Sequence, residues 1–353
     1  MFAELALQFT TDPALGVDLA PLAAPVVNRY VLDNPALADR LHAREAKNEW
    51  VALTRYLTRL RTTADADVIH NTFYLPHGLT PSGGAARVVT IHDMIPELMP
   101  HTRRRLDRLT LKRRYVDSAD HIICVSEATK QDLLKVYGIP AAPVSVVHHG
   151  VDPRFHPGAE RPDFLPGRYL LFVGHRGQYK DADVLFQAFA ALAGREKDLS
   201  LVCVGGDGLS DAEVALLVEL GIRERVTQHY LSDEDMVGAY SHAELFVFPS
   251  HFEGFGLPAL EAMACGTPAV LAAATSLPEV GADAAAYFEP GDPVNLAGVI
   301  AELLSDDGAR ADLITRGIAR SAQFTWERSA EATARAYSCL LYTSDAADDT
   351  PCV

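Results

Sequence analysis

Residues 245–268 read Leu-Phe-Val-Phe-Pro-Ser-His-Phe-Glu-Gly-Phe-Gly-Leu-Pro-Ala-Leu-Glu-Ala-Met-Ala-Cys-Gly-Thr-Pro. An apolar run ends at Phe248, a loop with two glycines follows, and Leu257-Pro258 opens a segment of helical composition. Proline suits the first turn of a helix, where its missing N–H is not needed. The order is strand, loop, helix. Glycines let backbone N–H groups come close to a ligand, and a helix N-terminus facing the same way favours an anion. Glu253 in the loop and Glu261 in the early turns of the helix lie eight residues apart. Two such carboxylates can accept hydrogen bonds from hydroxyls on either side of a phosphate held between them.

Outward from this stretch the same alternation fills the chain. Apolar, β-branched segments of strand length lie at Val68-Ile69, Arg87 to Ile91, His121 to Val125, Val144 to Val147, Tyr169 to Val173, Leu199 to Val204, Val226 to Tyr230, Leu245 to Phe248 and Ala269 to Leu271. They do not alternate with polar residues, as expected of parallel strands covered on both faces. Helical patterns sit between them at Glu127 to Tyr137, Val184 to Ala193, Asp211 to Leu220 and Asp233 to Ser241, with Ser126 and Ser232 as caps. Strand alternating with helix means α/β with doubly wound parallel sheets.

A chain of 353 residues is long enough for about two domains. The seam falls in the Pro/Gly-containing stretch from Gly150 to Gly167. The expected division is a first domain over 1–155, a second over 156–338, and a cleft between them as the ligand site. Two ends look irregular. The chain opens in an amphipathic helix, Phe2 to Phe9, rather than in a strand with a Gly-rich turn, so the first strand of the N-terminal domain is expected to be missing. Residues 339–353 show no periodicity that continues the preceding helix and resemble a translated sequencing adapter, which reads as a non-native tail.

The formal charge of −16 argues against a nucleic-acid partner. Residues 1–150 hold 17 Lys+Arg against 16 Asp+Glu, whereas residues 151–353 hold 14 against 31, an asymmetry that fits two domains with different tasks. The five cysteines show no C-x-x-C spacing, and three lie in apolar segments, which suits reduced thiols and no structural zinc. No apolar run approaches ~20 residues and no secretion signal is visible, so the chain reads as cytoplasmic. His101 to Tyr115 carries seven Arg and Lys with Leu106 and Leu109 at helical spacing. A basic amphipathic helix over 101–116 fits a peripheral contact at the inner membrane face, or equally a solvated face paired with local acids.

The 249–268 stretch resembles the retaining glycosyltransferases of family 4, the group 1 glycosyl transferases of the GT-B fold, through its Glu-x7-Glu signature from Glu253 to Glu261. Tyr169 to Gly174 followed by Arg176 and Lys180, Thr90 to Asp93, Val125 to Lys130 and His149 to Asp152 match further segments of that family in the same order. The Val-Gly-x-Arg-x-x-Tyr-Lys form looks nearest to mannosyltransferases of bacterial surface-polysaccharide assembly. The resemblance implies two Rossmann-like domains and transfer of a hexose from a nucleotide diphosphate sugar to a glycan or lipid-linked acceptor with retention. It implies His92 and Glu253 as catalytic residues, and Arg176, Lys180, Gly254, Phe255, Gly256, Leu257 and Glu261 as the donor site. Lys180 and Arg176 would neutralise the departing diphosphate, so neither a metal nor a cofactor is expected.

Gly205 to Gly208 follows a strand and reads either as a second approach to the nucleotide or as a turn. The pairs Asp181/Asp183 and Asp233/Asp235 stand at helix starts and read as caps. Two rival functions share these residues: an epimerase of the same architecture, and a truncated fragment that binds nucleotide sugar without turning it over.

Overall fold

Continuous runs of buried Val, Leu, Ile and Phe become parallel strands, and the amphipathic segments between them become the helices that cover both faces. The computed structural model describes residues 2–19, 25–26, 35–36, 44–45, 66–74, 79, 83–99 and 109–345. It divides into two compact units, Met1–Gly150 with Thr325–Val353, and Val151–Phe324.

The N-terminal unit begins with α1 (Phe2–Thr11) and a parallel pairing of β1 (Pro25–Val26) with β2 (Arg44–Glu45). Its main sheet has the order β3 (Val68–Asn71), β4 (Ala86–Ile91), β5 (His121–Cys124), β6 (Val144–Val146), all parallel. Among the described residues, α2 (Ile95–Leu98) and α3 (Leu109–Asp117) lie between β4 and β5, and α4 (Glu127–Tyr137) joins β5 to β6. Ser126 caps α4, its hydroxyl accepting from the Thr129 N–H at 3.0 Å.

The C-terminal unit runs through β7 (Arg168–Val173), α5 (Ala182–Leu192), β8 (Leu199–Val204), α6 (Asp211–Glu219), β9 (Val226–His229), α7 (Asp233–Ser241), β10 (Leu245–Phe248), α8 (Leu257–Ala264), β11 (Ala269–Ala272), α9 (Leu277–Gly281), β12 (Ala286–Phe288), α10 (Pro293–Ser305) and α11 (Asp307–Ser321). The strand order β12-β11-β10-β7-β8-β9 is that of a Rossmann sheet, with its switch point between the first and fourth strands, β7 and β10. Tyr169, Phe172, Phe186, Phe189, Phe246 and Phe248 are all fully buried around that point. Each contributes roughly 1.5–3 kcal/mol of burial. This rigid centre fixes where the chain leaves β7 and β10.

Two expectations about boundaries are corrected. The second unit is not 156–338: it starts at Val151 and closes at Phe324, and the chain from Thr325 onward belongs to the N-terminal unit. The reason is α12 (Trp326–Asp345), whose Ala330 and Ala334 pack on Leu5 and Phe9 of α1 and whose Ala336 packs on Val88 and Ile123 of the sheet. Gly150 meets the start of α12 so closely that a Cβ there would lie 2.3 Å from the Trp326 nitrogen. Nor does the helix stop before 339. It continues to Asp345, with Leu340 packed against the same cluster. Of the expected tail, residues 346–353 lie outside the described residues.

Candidate active site

Two loops leave the switch point of the C-terminal unit, one after β7 carrying Arg176 and Lys180 and one after β10 carrying Glu253 to Gly256. Ligands of doubly wound sheets bind where such loops part. The structure joins the two loops through a pair: the Lys180 ammonium contacts the Glu253 carboxylate, both side chains largely shielded from water. The ammonium also lies 5.0 Å from the centroid of the Phe248 ring and 5.4 Å from that of Tyr179. A cation held by one carboxylate and two aromatic faces is well placed for a second anion.

Glu253 is held through its backbone. Its N–H donates to Thr275 Oγ1 at 2.9 Å, and the buried Ser276 hydroxyl reaches the carbonyls of Glu253 at 3.0 Å and Phe255 at 2.9 Å. Thr275 has φ 48°, an unusual conformation for a β-branched residue. Gly256 precedes α8 with φ 99°, and a Cβ there would meet Leu277 at 2.8 Å. Phe255 is buried against Phe324, ring centroids 5.9 Å apart. Leu257 opens α8, as expected, with Pro258 beside it and Gly254 in the loop before it.

Glu261 lies in the second turn of α8 and accepts a hydrogen bond from the Tyr240 hydroxyl at 2.8 Å. Burial pushes its carboxyl above the usual range, while the Tyr240 bond and the Arg154 charge oppose that shift. Tyr240, buried beside this carboxylate, has its own pKa raised by burial.

Arg176 is held by groups of its own unit. It is buried, its Nε donates to Glu213 at 2.7 Å, and its terminal nitrogens donate to the carbonyls of Gly205 and Gly208 at 3.1 Å and of Asp207. The guanidinium therefore clamps the Gly205–Gly208 loop. Glu213 also completes the capping box of α6 with Ser210. Asp233 and Asp235 lie in the first turn of α7, where the Ser232 hydroxyl accepts from the Asp235 N–H at 3.1 Å. Asp181 is not the cap it was expected to be. It occupies the N-cap position of α5 with no side-chain cap bond and pairs with His251 instead.

In the N-terminal unit His92 follows β4, with its Nε2 3.0 Å from the Thr72 carbonyl. A carbonyl can only accept, so Nε2 carries the proton. Burial lowers the pKa of His92 and keeps the ring neutral. Its ring stacks on His149 with centroids 6.0 Å apart, and His149 packs against Trp326 at 5.8 Å. His70 is held between Tyr337 Oη at 2.6 Å and Thr90 Oγ1 at 2.7 Å. The pocket among His70, Thr90, His149, Trp326, Ser329 and Thr333 has a volume of about 20 Å³, the size of roughly one water and too small for a sugar.

Residues 101–108 of the expected membrane-facing stretch lie outside the described residues. Lys112 does not face outward: it is buried and bonded to Glu97 at 2.8 Å and to the Asp93 carbonyl at 2.9 Å. Among the described residues no helix is long and apolar enough to cross a membrane.

Sequence reading missed Tyr240, His251, Thr275, Ser276 and Glu213. One signal pointed to Thr275 and Ser276: the strand, loop, Leu-Pro and helix pattern of 245–264 recurs at 269–281.

The model of the group 1 glycosyl transferases matches residues 161–320, and that of glycosyltransferase family 4 matches residues 21–155. The chain is 34% identical to the O-antigen chain mannosyltransferase B of Escherichia coli, over 76% of this chain and 73% of that protein. It is 31% identical to the D-inositol 3-phosphate glycosyltransferase of Mycolicibacterium smegmatis, over 91% and 78%. Among solved structures, sucrose-phosphate synthase from Thermosynechococcus elongatus superposes with a TM-score of 0.68 at 24% identity, covering 86% of this chain and 82% of that one. Anabaena HepE, solved with UDP and glucose, superposes with a TM-score of 0.68 at 18% identity, covering 98% and 96%. Switch-point loops, a Rossmann strand order and relatives spanning both units converge, and the chain belongs to glycosyltransferase family 4, the group 1 sugar transferases of the GT-B fold.

Proposed function

We propose that the protein transfers a hexose, with mannose the first candidate, from a nucleoside diphosphate sugar to a glycan or lipid-linked acceptor, with retention and without a metal or cofactor. The observation that carries this reading is the Lys180–Glu253 pair joining the two switch-point loops. Lys180 serves as the cation for the leaving diphosphate, Glu253 takes sugar hydroxyls, and Glu261 takes the ribose. Gly254 to Leu257 present the backbone that approaches the donor, and Arg176 acts by holding the Gly205–Gly208 loop. His92 is kept as a proposed catalytic residue of the N-terminal unit, a neutral ring with its proton on Nε2. In the transfer the bond from the anomeric carbon to the diphosphate oxygen breaks and a bond to the acceptor oxygen forms on the same face. The acceptor proton passes to the leaving phosphate. The similarity to the mannosyltransferase of Escherichia coli supports mannose. The reading takes the protein as cytoplasmic, with peripheral contact at the inner membrane face where the acceptor is lipid-linked.

Calorimetric titration with GDP, UDP, ADP and their sugar conjugates tests the reading. One nucleotide family binds, and Lys180→Ala weakens it. Glu253→Gln separates binding from transfer. It releases Lys180 from its intramolecular partner, so the free nucleoside diphosphate binds as well as before or more tightly, while transfer falls by about 10²–10³-fold. A folded protein that binds no nucleoside diphosphate overturns the proposal.

A further inference from the structure

The loop after β7 is held at a point that the proposed chemistry has not used. We infer that His251 is the positioning residue for the Lys180 ammonium, an inference that rests on reading Lys180 as the diphosphate cation. His251 grips the chain on both sides of that lysine. Its backbone N–H donates to the Tyr179 carbonyl at 2.8 Å, and its ring Nε2 pairs with the Asp181 carboxylate. Lys180 is the residue between.

Three features show that this grip is built in. Asp181 stands at the N-cap position of α5 at φ 53° and ψ 38°, in the left-handed region. Its carboxylate forgoes the cap bond that Asp usually makes there and turns to the histidine. A strained residue that also gives up its cap persists only where its surroundings over-determine it. Second, the His251 ring is packed against Gly291 at φ 78°, where a Cβ would come within 3.2 Å of Cε1. The ring fits because that side chain is absent.

Third, lysine is a flexible point charge on four methylenes, so its ammonium is only as well placed as the backbone that carries it. Here that backbone is a single turn, Gln178–Lys180, followed at once by the bend at Asp181. His251 is also two residues from Glu253 on the loop after β10, so one residue ties the cation's loop to the carboxylate's loop. Asp183, in the first turn of α5, is a charged neighbour that acts on the Asp181 carboxylate beside His251.

A double-mutant cycle on the full chain tests the inference. Dissociation constants for a nucleoside diphosphate and for the matching monophosphate are measured in the wild type, His251→Ala, Lys180→Ala and the double variant. His251→Ala is expected to weaken the diphosphate about 5–20-fold and leave the monophosphate unchanged within about 2-fold. Added to Lys180→Ala it has no further effect, because it acts through that ammonium. His251→Gln, whose amide nitrogen reaches the place of Nε2, restores most of the loss. Equal weakening of both ligands, additivity with Lys180→Ala, or a lowered melting temperature with unchanged affinities would each overturn the inference. If the wild type binds the diphosphate and His251→Ala binds it equally well, the positioning role falls alone. If the wild type binds neither ligand, it falls together with the proposed function.

Discussion

The Glu261 carboxyl sits between two opposing influences, burial that raises its pKa and the Tyr240 hydroxyl that stabilises the ionised form at 2.8 Å. Tyr240→Phe removes the second influence and leaves the first. The Glu261 pKa therefore rises, and the acid limb of the pH profile for kcat/KM moves to higher pH, with the plateau at alkaline pH retained. An acid limb that stays in place in Tyr240→Phe would show that ionised Glu261 is not required. The carboxylates themselves could be read in the sequence because their spacing repeats a family signature. Their partners could not: Tyr240 is 21 residues from Glu261 and Lys180 is 73 from Glu253, separations that only the sheet closes. The partners of Arg176 were hidden for the same reason. Nothing local to residue 176 reveals that Glu213 and three carbonyls of the next loop occupy it.

Helices and strands were legible to within a residue or two wherever burial is two-sided, because a covered parallel strand needs an unbroken apolar run. Leu199–Val204 and Leu245–Phe248 have the expected limits. β12, Ala286–Phe288, was missed because three residues at the edge of a sheet leave almost no pattern. Local chemistry also sets stability at this scale. Ser210 and Glu213 satisfy each other's backbone N–H groups at the start of α6. Ser210→Ala is expected to lower the stability of the C-terminal unit by about 1 kcal/mol, read from the urea midpoint. Gly238 lies within α7 where a Cβ would come 2.2 Å from the Glu160 carbonyl oxygen. Gly238→Ala, which elsewhere would strengthen a helix, is expected to cost roughly 1–3 kcal/mol here because backbone must move to admit the methyl.

At the scale of the whole molecule, burial lowers His70, His92, His121 and His149 among the described residues of the N-terminal unit, and it takes His70 and His149 to about 3 from the ordinary 6.5. The unfolded chain takes up these protons below about pH 6.5 and the folded unit does not. Stability is therefore full above that pH and is lost as pH falls from 6.5 toward 3, by up to ~1.4 kcal/mol per pH unit for each ring. Urea unfolding at pH 7.5 and pH 5 checks this, and His70→Gln should shrink the difference between the two even if it lowers both. The division into units was only half legible in the sequence. The seam at 150 is local, whereas the return of α12 depends on which surface its small residues Ala330, Ala334 and Ala336 fit. That return sets an order of events during synthesis. The ribosome adds ~5–20 residues each second, so the stretch between Gly150 and Thr325 takes on the order of ten seconds or more to emerge. For that interval Leu5 and Phe9 of α1 and Val88 and Ile123 of the sheet wait without α12, and the whole Rossmann unit is made before it arrives. The half of the protein that is made first is the half that finishes last.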